Sequence, residues 1–245
     1  MSGVDPPTAL LTGGSAGIGA AICRRLLDAG YEVVSLDLSP AAEPHPRLHS
    51  VTVDLSDPEA TRRVAEDCAR SRPATVVIHN AGAVLERPLE EVRPSDVDAL
   101  VALHLAAPIA LVQANLPAMK AARFGRIVLV STRAVLGLAN RTVYSATKAA
   151  MLGMSRTWAL ELGPHGITSN VVAPGPIADT AVFHDLIPRG SPKLPRIIDS
   201  IPVKRLGKPD DVAQAVMFFV DPATSFVTGQ TLFVCGGTSV GSIAY

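Results

Sequence analysis

The feature that most constrains the fold is an interrupted apolar run. Thr8-Ala9-Leu10-Leu11 breaks into Thr12-Gly13-Gly14-Ser15-Ala16-Gly17-Ile18-Gly19, and apolar residues then recur at Ile18, Ala21, Ile22, Leu26 and Leu27. A short apolar run, a glycine turn and a helical period read as strand, tight turn and amphipathic helix. Glycines at such a turn let the main chain approach a pyrophosphate, and the free N–H groups that open the helix favour its negative charge. Gly13, Ser15, Ala16, Gly17, Ile18 and Gly19 are therefore candidate cofactor-binding positions.

A second strand, Glu32 to Leu36, ends at Asp37-Leu38, where a ribose-binding acid belongs, about 20 residues beyond the glycines. A carboxylate there accepts hydrogen bonds from both ribose hydroxyls and repels a 2′-phosphate. Ala16 offers no basic group to hold that phosphate, so the expected cofactor is NAD, with NADP less favoured. Strands at Leu48 to Val53 and Thr75 to Ile78 alternate with a helix opened by Asp57-Pro58-Glu59. Alternating strand and helix imply right-handed βαβ units, hence an α/β fold with a doubly wound parallel sheet of Rossmann-like type. With 48% apolar residues in 245 positions, a single domain spanning the whole chain is expected.

Lys+Arg and Asp+Glu both number 22, which gives no electrostatic reason to expect nucleic acid or an anionic membrane as partner. The start lacks the pattern of a signal peptide, and the longest mostly apolar run, Ala99 to Val112, looks short for a bilayer. A cytoplasmic protein is expected. Cys23, Cys68 and Cys235 have no metal-like or disulfide spacing, so no metal site is expected and buried small hydrophobes are the default.

Later in the chain, Tyr144 and Lys148 stand one helical turn apart in Tyr-Ser-Ala-Thr-Lys. A fixed cation beside a phenol favours phenolate and brings its pKa towards working pH. With Thr12-Gly-x-x-x-Gly-Ile-Gly19, Asp54, Asn80-Ala-Gly82 and Tyr144-x-x-x-Lys148 in this order, the chain resembles the short-chain dehydrogenase/reductase family over essentially its whole length. The resemblance implies that Asp54 and Leu55 lie by the adenine, and that Asn80, Ala81 and Gly82 brace the strands beside the cofactor. It also implies that Pro174, Gly175, Ile177 and Thr180 form the nicotinamide-side loop.

The resemblance further implies that Tyr144 moves the hydroxyl proton, while Lys148 lowers its pKa and holds the nicotinamide ribose. A Ser or Thr would polarise the carbonyl. Ser131 lies 144 − 131 = 13 positions before Tyr144, the commoner spacing, but counting along the strand from Gly125 favours Thr132 slightly. His104 stands where the family has Asn, whose carbonyl is freed by a kink to hold a relay water. Pro108, four residues later, has no N–H to close a helical bond to the His104 carbonyl, so that carbonyl is expected to stay free. His104 itself reads either as a catalytic imidazole or as a satisfied core side chain, the latter favoured.

The nearly wholly apolar helix expected over Ser95 to Ala122 needs cover, and the resemblance makes that a homo-oligomer, a tetramer or dimer. Residues 181–203, rich in Pro and Gly, read as a substrate lid. The leading expectation is an NAD-dependent oxidoreductase of a secondary alcohol or ketone. The alternatives are a 3-oxoacyl-thioester reductase, on acyl carrier protein or coenzyme A, and a non-catalytic dinucleotide-binding sensor or scaffold.

Overall fold

The computed structural model describes residues 6–41, 43–180, 183, 187, 188 and 190–240. Its strands are β1 (Thr8–Thr12), β2 (Glu32–Asp37), β3 (Leu48–Thr52), β4 (Val76–His79), β5 (Gly125–Val130), β6 (Ile167–Pro174) and β7 (Thr231–Val234). They form one parallel sheet in the order β3-β2-β1-β4-β5-β6-β7. This is the expected Rossmann-like α/β fold. The order reverses between β1 and β4, which opens a crevice at the carboxyl ends of those strands.

Both faces of the sheet are covered because the strands alternate apolar residues in both directions. Ala9 and Leu11 of β1 pack with α1 (Gly17–Asp28) and the helix Pro209–Val220. Leu10 points the other way, into the layer made by α2 (Pro58–Ser71), α4 (Ala107–Ala122) and α5 (Thr142–Leu162). Asp57 caps α2, its carboxylate accepting the N–H groups of Glu59 and Ala60.

Two boundaries differ from expectation in ways that matter to the site. β5 ends at Val130, so Ser131 and Thr132 lie just past the strand rather than in it. Strand alternation therefore does not decide between them. The segment 94–122 is helical throughout, as α3 (Pro94–Val101), a π-helical turn (Ala102–Ala106) and α4. At 29 residues, with an 18-residue window of mean hydropathy 1.7, it is long and apolar enough to cross a membrane by length and composition, contrary to the expected shortness of the run. Its inward side packs on α2, α5 and the sheet, and it buries polar groups that have partners. Asn115, for example, accepts the Ala74 N–H and donates to the Leu111 carbonyl.

The lid reading falls partly outside the described residues, at 181, 182, 184–186 and 189. Within it, Leu194–Ser200 forms a short helix that the prolines hid in the sequence. Pro195 sits in its first turn, where a missing N–H costs nothing.

Candidate active site

The glycine turn is shaped by close main-chain contacts. Gly13 has φ +68°, a left-handed conformation that favours glycine, and a Cβ on Gly19 would run into the Gly13 carbonyl. Asn80 Nδ2 donates to that same carbonyl at 2.9 Å, tying the end of β4 to the turn. Ala16 precedes α1 with no side-chain cap, and no acidic residue stands in the first turn. The helix N–H groups and the macrodipole are thus left to an anion. Thr180 lies over Gly17, and its hydroxyl donates to the Ile177 carbonyl and accepts the Phe183 N–H.

Asp37 sits at the end of β2 on the rim of this cradle. Its Oδ2 accepts both the Ser15 N–H (2.9 Å) and the Ser15 hydroxyl (2.6 Å), so the carboxylate also anchors the glycine turn. Leu38 is 68% exposed beside it. Asp54 is exposed, and hydrogen bonds from the Ser56 hydroxyl and N–H hold its carboxyl below the usual range. Leu55 turns its side chain into the core. Pro174 ends β6, and Gly175 packs so tightly on Cys235 that a Cβ would come within 2.7 Å of the Cys235 Cα.

At the other end of the crevice the Thr132 hydroxyl stands by the phenol of Tyr144 and pulls its pKa down, against its burial. Thr132 is itself fixed by accepting the Ala134 N–H at 3.1 Å. Ser131 faces the opposite way. Its hydroxyl is buried and donates to the Lys148 carbonyl at 2.8 Å, so it braces α5 and does not meet the phenol.

Lys148 is buried, its Nζ donating to the Val130 carbonyl at 2.8 Å. Burial lowers its pKa to about 7. The expected lowering of the Tyr144 pKa by this ammonium is not what the structure shows. Burial pushes the phenol up, against opposing pulls from the Thr132 hydrogen bond and the Arg141 charge. The physical reason is that Lys148 spends its charge on a carbonyl and on its own desolvation. The cation that acts on the phenol is Arg141, itself buried and paired with Glu86 at 2.9 Å.

His104 is fully buried and satisfied on both sides, as the core reading expected. Its Nε2 accepts the Ala83 N–H (3.3 Å), so the ring proton is on Nδ1 and goes to Thr147 Oγ1 (2.9 Å). The Thr147 hydroxyl donates onward to the Val143 carbonyl. Burial, then the charges of Lys148 and His79, lower the His104 pKa to about 2, so the ring is neutral at working pH. The ring meets Tyr144 edge-on at 5.9 Å. A Cβ on Gly82 would come within 3.1 Å of both His104 Nε2 and Lys148 Nζ, so glycine is what allows the two side chains to converge there.

The comparisons decide the family. The model described as enoyl-(acyl carrier protein) reductase matches residues 13–239. This chain belongs to the short-chain dehydrogenase/reductase family. As such it is an oxidoreductase acting on a CH–OH or ketone group, with NAD or NADP as cofactor.

Among its relatives is the (2S)-[(R)-hydroxy(phenyl)methyl]succinyl-CoA dehydrogenase subunit BbsD of Thauera aromatica. It is 32% identical, with 97% of this chain and 98% of that protein covered. Acetoacetyl-CoA reductase of Shinella zoogloeoides is 35% identical, with 94% and 97% covered. A crystal structure from Beutenbergia cavernae, described as a gluconate 5-dehydrogenase with NADP bound at low occupancy, superposes with TM-score 0.85 at 30% identity, covering 96% of this chain and 97% of that one.

Sequence reasoning missed several residues of this short-chain dehydrogenase/reductase site. Thr147, inside the Tyr-Ser-Ala-Thr-Lys stretch, partners His104. Arg141 and Glu86 form the buried cation and its counter-charge. The signal available for Arg141 was its place three residues before the tyrosine, at the cap of the same helix.

Proposed function

We propose that the chain interconverts a 3-hydroxyacyl and a 3-oxoacyl thioester with NAD(H), using Tyr144 as the proton-transfer group. The observation that carries the reading is the buried Tyr144 phenol with the Thr132 hydroxyl and Lys148 beside it, across the crevice from an uncapped helix start and glycine cradle. The simple alcohol or ketone that the residues alone put first yields to the thioester because named relatives, BbsD and acetoacetyl-CoA reductase, act on coenzyme A thioesters.

The cradle fits a dinucleotide: the α1 N–H groups and the glycines would take the pyrophosphate, and Asp37 the adenosine ribose. Asp37 at that place supports NAD over NADP by charge repulsion against a 2′-phosphate. The nicotinamide, when bound, supplies or accepts the hydride. Thr132 donates a hydrogen bond to the substrate oxygen and orients it. Tyr144 gives that oxygen a proton in the reducing direction and takes it back in the other. Arg141 provides positive charge for the phenolate left behind, and Lys148 holds the nicotinamide ribose. Pro108 has no N–H for an α-helical i+4 bond to the His104 carbonyl, which supports a carbonyl open to a relay water. His104, held neutral by its two partners, stays a structural element of the site.

Apolar residues exposed on α3, α4 and α5 (Val97, Val101, Ile109 and Leu160) fit a homo-oligomer closed over these helices. Light scattering of the purified protein checks this, a monomer refuting it.

The function is tested by following NADH and NADPH consumption with acetoacetyl-CoA and with ketones that carry no thioester. Faster turnover of acetoacetyl-CoA with NADH is expected. Turnover of the plain ketones alone would restore the simpler substrate class. Cofactor binding without turnover of either set would make the chain a sensor.

A further inference from the structure

One buried ionisable side chain is unused by this chemistry. His79 is 0% exposed at the end of β4 and stands opposite Thr12 of β1, at the point where the strand order reverses. Thr12 Oγ1 accepts the N–H groups of Asn80 and Ala81, each at 3.0 Å, and lies 3.0 Å from His79 Nδ1. A hydroxyl has two acceptor lone pairs and one proton. Both lone pairs are taken, so the proton goes to Nδ1, and the imidazole carries its own proton on Nε2. Burial and the Lys148 charge lower the His79 pKa to about 3, so the ring is neutral.

The Nε2–H lacks a partner of ordinary hydrogen-bond geometry, which is costly for a group with no access to water. The acceptor that bears on it is the main-chain carbonyl of Leu103, in the π-helical turn. That carbonyl is short of a donor for a covalent reason. In this turn the N–H of residue i+5 bonds the carbonyl of residue i, as Ala107 does to Ala102. The residue five beyond Leu103 is Pro108, which has no N–H.

We propose that His79 is a positioning residue: its Nε2–H donates to the Leu103 carbonyl in place of the N–H that Pro108 lacks, and so holds the π turn open. The turn is then tied on two sides, to the central sheet through His79 and to α5 through its own His104, whose Nδ1–H goes to Thr147. His104 Nε2 and the Lys148 Nζ converge at Gly82, so the register of the turn bears on where that ammonium sits. Pro108 opens the turn and His79 occupies the opening. The effect on turnover rests on the Tyr144 and Lys148 reading above, whereas the contact itself does not.

The test uses the full chain as wild type, His79→Leu, Pro108→Ala and the double variant, with His79→Asn as the conservative replacement that keeps an acceptor and a donor in one group. Urea unfolding is expected to be non-additive. His79→Leu destabilises, and Pro108→Ala in that background recovers part of the loss, because the restored N–H satisfies the same carbonyl. Additive changes would overturn the contact. Imidazole nitrogen NMR of the wild type should show His79 protonated on Nε2, and protonation on Nδ1 would overturn it as well.

For turnover, His79→Leu is expected to lower kcat by roughly 10- to 100-fold through misplacement of the lysine, with NADH affinity unchanged and the alkaline limb of the pH–rate profile displaced. His79→Asn should restore most of it. Unchanged kcat in a folded His79→Leu protein would overturn the positioning role. A wild type without any turnover would remove the proposed function, leaving unfolding and NMR to decide the contact.

Discussion

The two ends of the crevice are built on opposite principles. At the glycine end, local main-chain geometry makes the site: left-handed Gly13, the uncapped α1 and a half-exposed carboxylate, contributed by stretches close in sequence. At the tyrosine end, a web of buried side chains from β1, β4, α3–α4 and α5 makes it, with His79, His104, Thr147 and Lys148 all removed from solvent. The first end binds by leaving groups free, and the second works by leaving almost none free. A substitution at the glycine end should therefore alter affinity, while one at the tyrosine end should alter rate and stability together.

The largest expected effect sits at the tyrosine end. Tyr144→Phe should cut kcat by roughly 100- to 10,000-fold, the usual worth of a positioned acid–base group, with cofactor binding by calorimetry intact. Retained turnover would remove the distinction between the two ends. Thr132→Val should cost roughly 100-fold in kcat, as loss of one donor to a developing charge does. Ser131→Ala should instead cost about 1 kcal/mol in unfolding, the worth of one buried hydrogen bond, and less in turnover. The reverse ranking would return the active hydroxyl to Ser131.

Lys148 sharpens the contrast through pH. Burial lowers its folded pKa to about 7, below its ordinary 10.5, so between those values the unfolded chain holds the extra proton. Stability therefore falls as pH drops from 10.5 towards 7, and the cost is complete below that. Lys148→Met should abolish turnover yet stabilise the fold at neutral pH by on the order of a few kcal/mol, with the gain vanishing above pH 10.5. Urea unfolding at several pH values checks the sign. The smallest effect belongs to the glycine end. Asp37→Ala should shift the NADPH-to-NADH preference in kcat/KM roughly tenfold by removing a like-charge contact, with little change in kcat.

The fold was legible because its signals are periodic and local. The break at Thr12–Gly19 and the continuous apolar strands fix the alternation of elements, and Asp37 and Asn80 fall where those elements end. The choice between Ser131 and Thr132 was only weakly legible: the count from Gly125 leaned to Thr132, but along a strand that in fact stops at Val130. The Arg141–Glu86 pair joins residues 55 apart, and no periodicity announces such a contact. The direction of the Tyr144 shift was misread because helical spacing shows which heads are neighbours, whereas burial decides which form of each is favoured. The helix Leu194–Ser200 was hidden by prolines that the first turn tolerates.

The double duty of Asp37 reaches beyond affinity. Because one oxygen of its carboxylate already receives both donors of Ser15, the residue proposed to discriminate between dinucleotides is also a strut of the glycine loop. A lineage or an engineer converting the chain to the phosphorylated coenzyme must rebuild that strut in the same step. On the proposed role of Asp37, coenzyme choice and loop rigidity are inherited as a single trait.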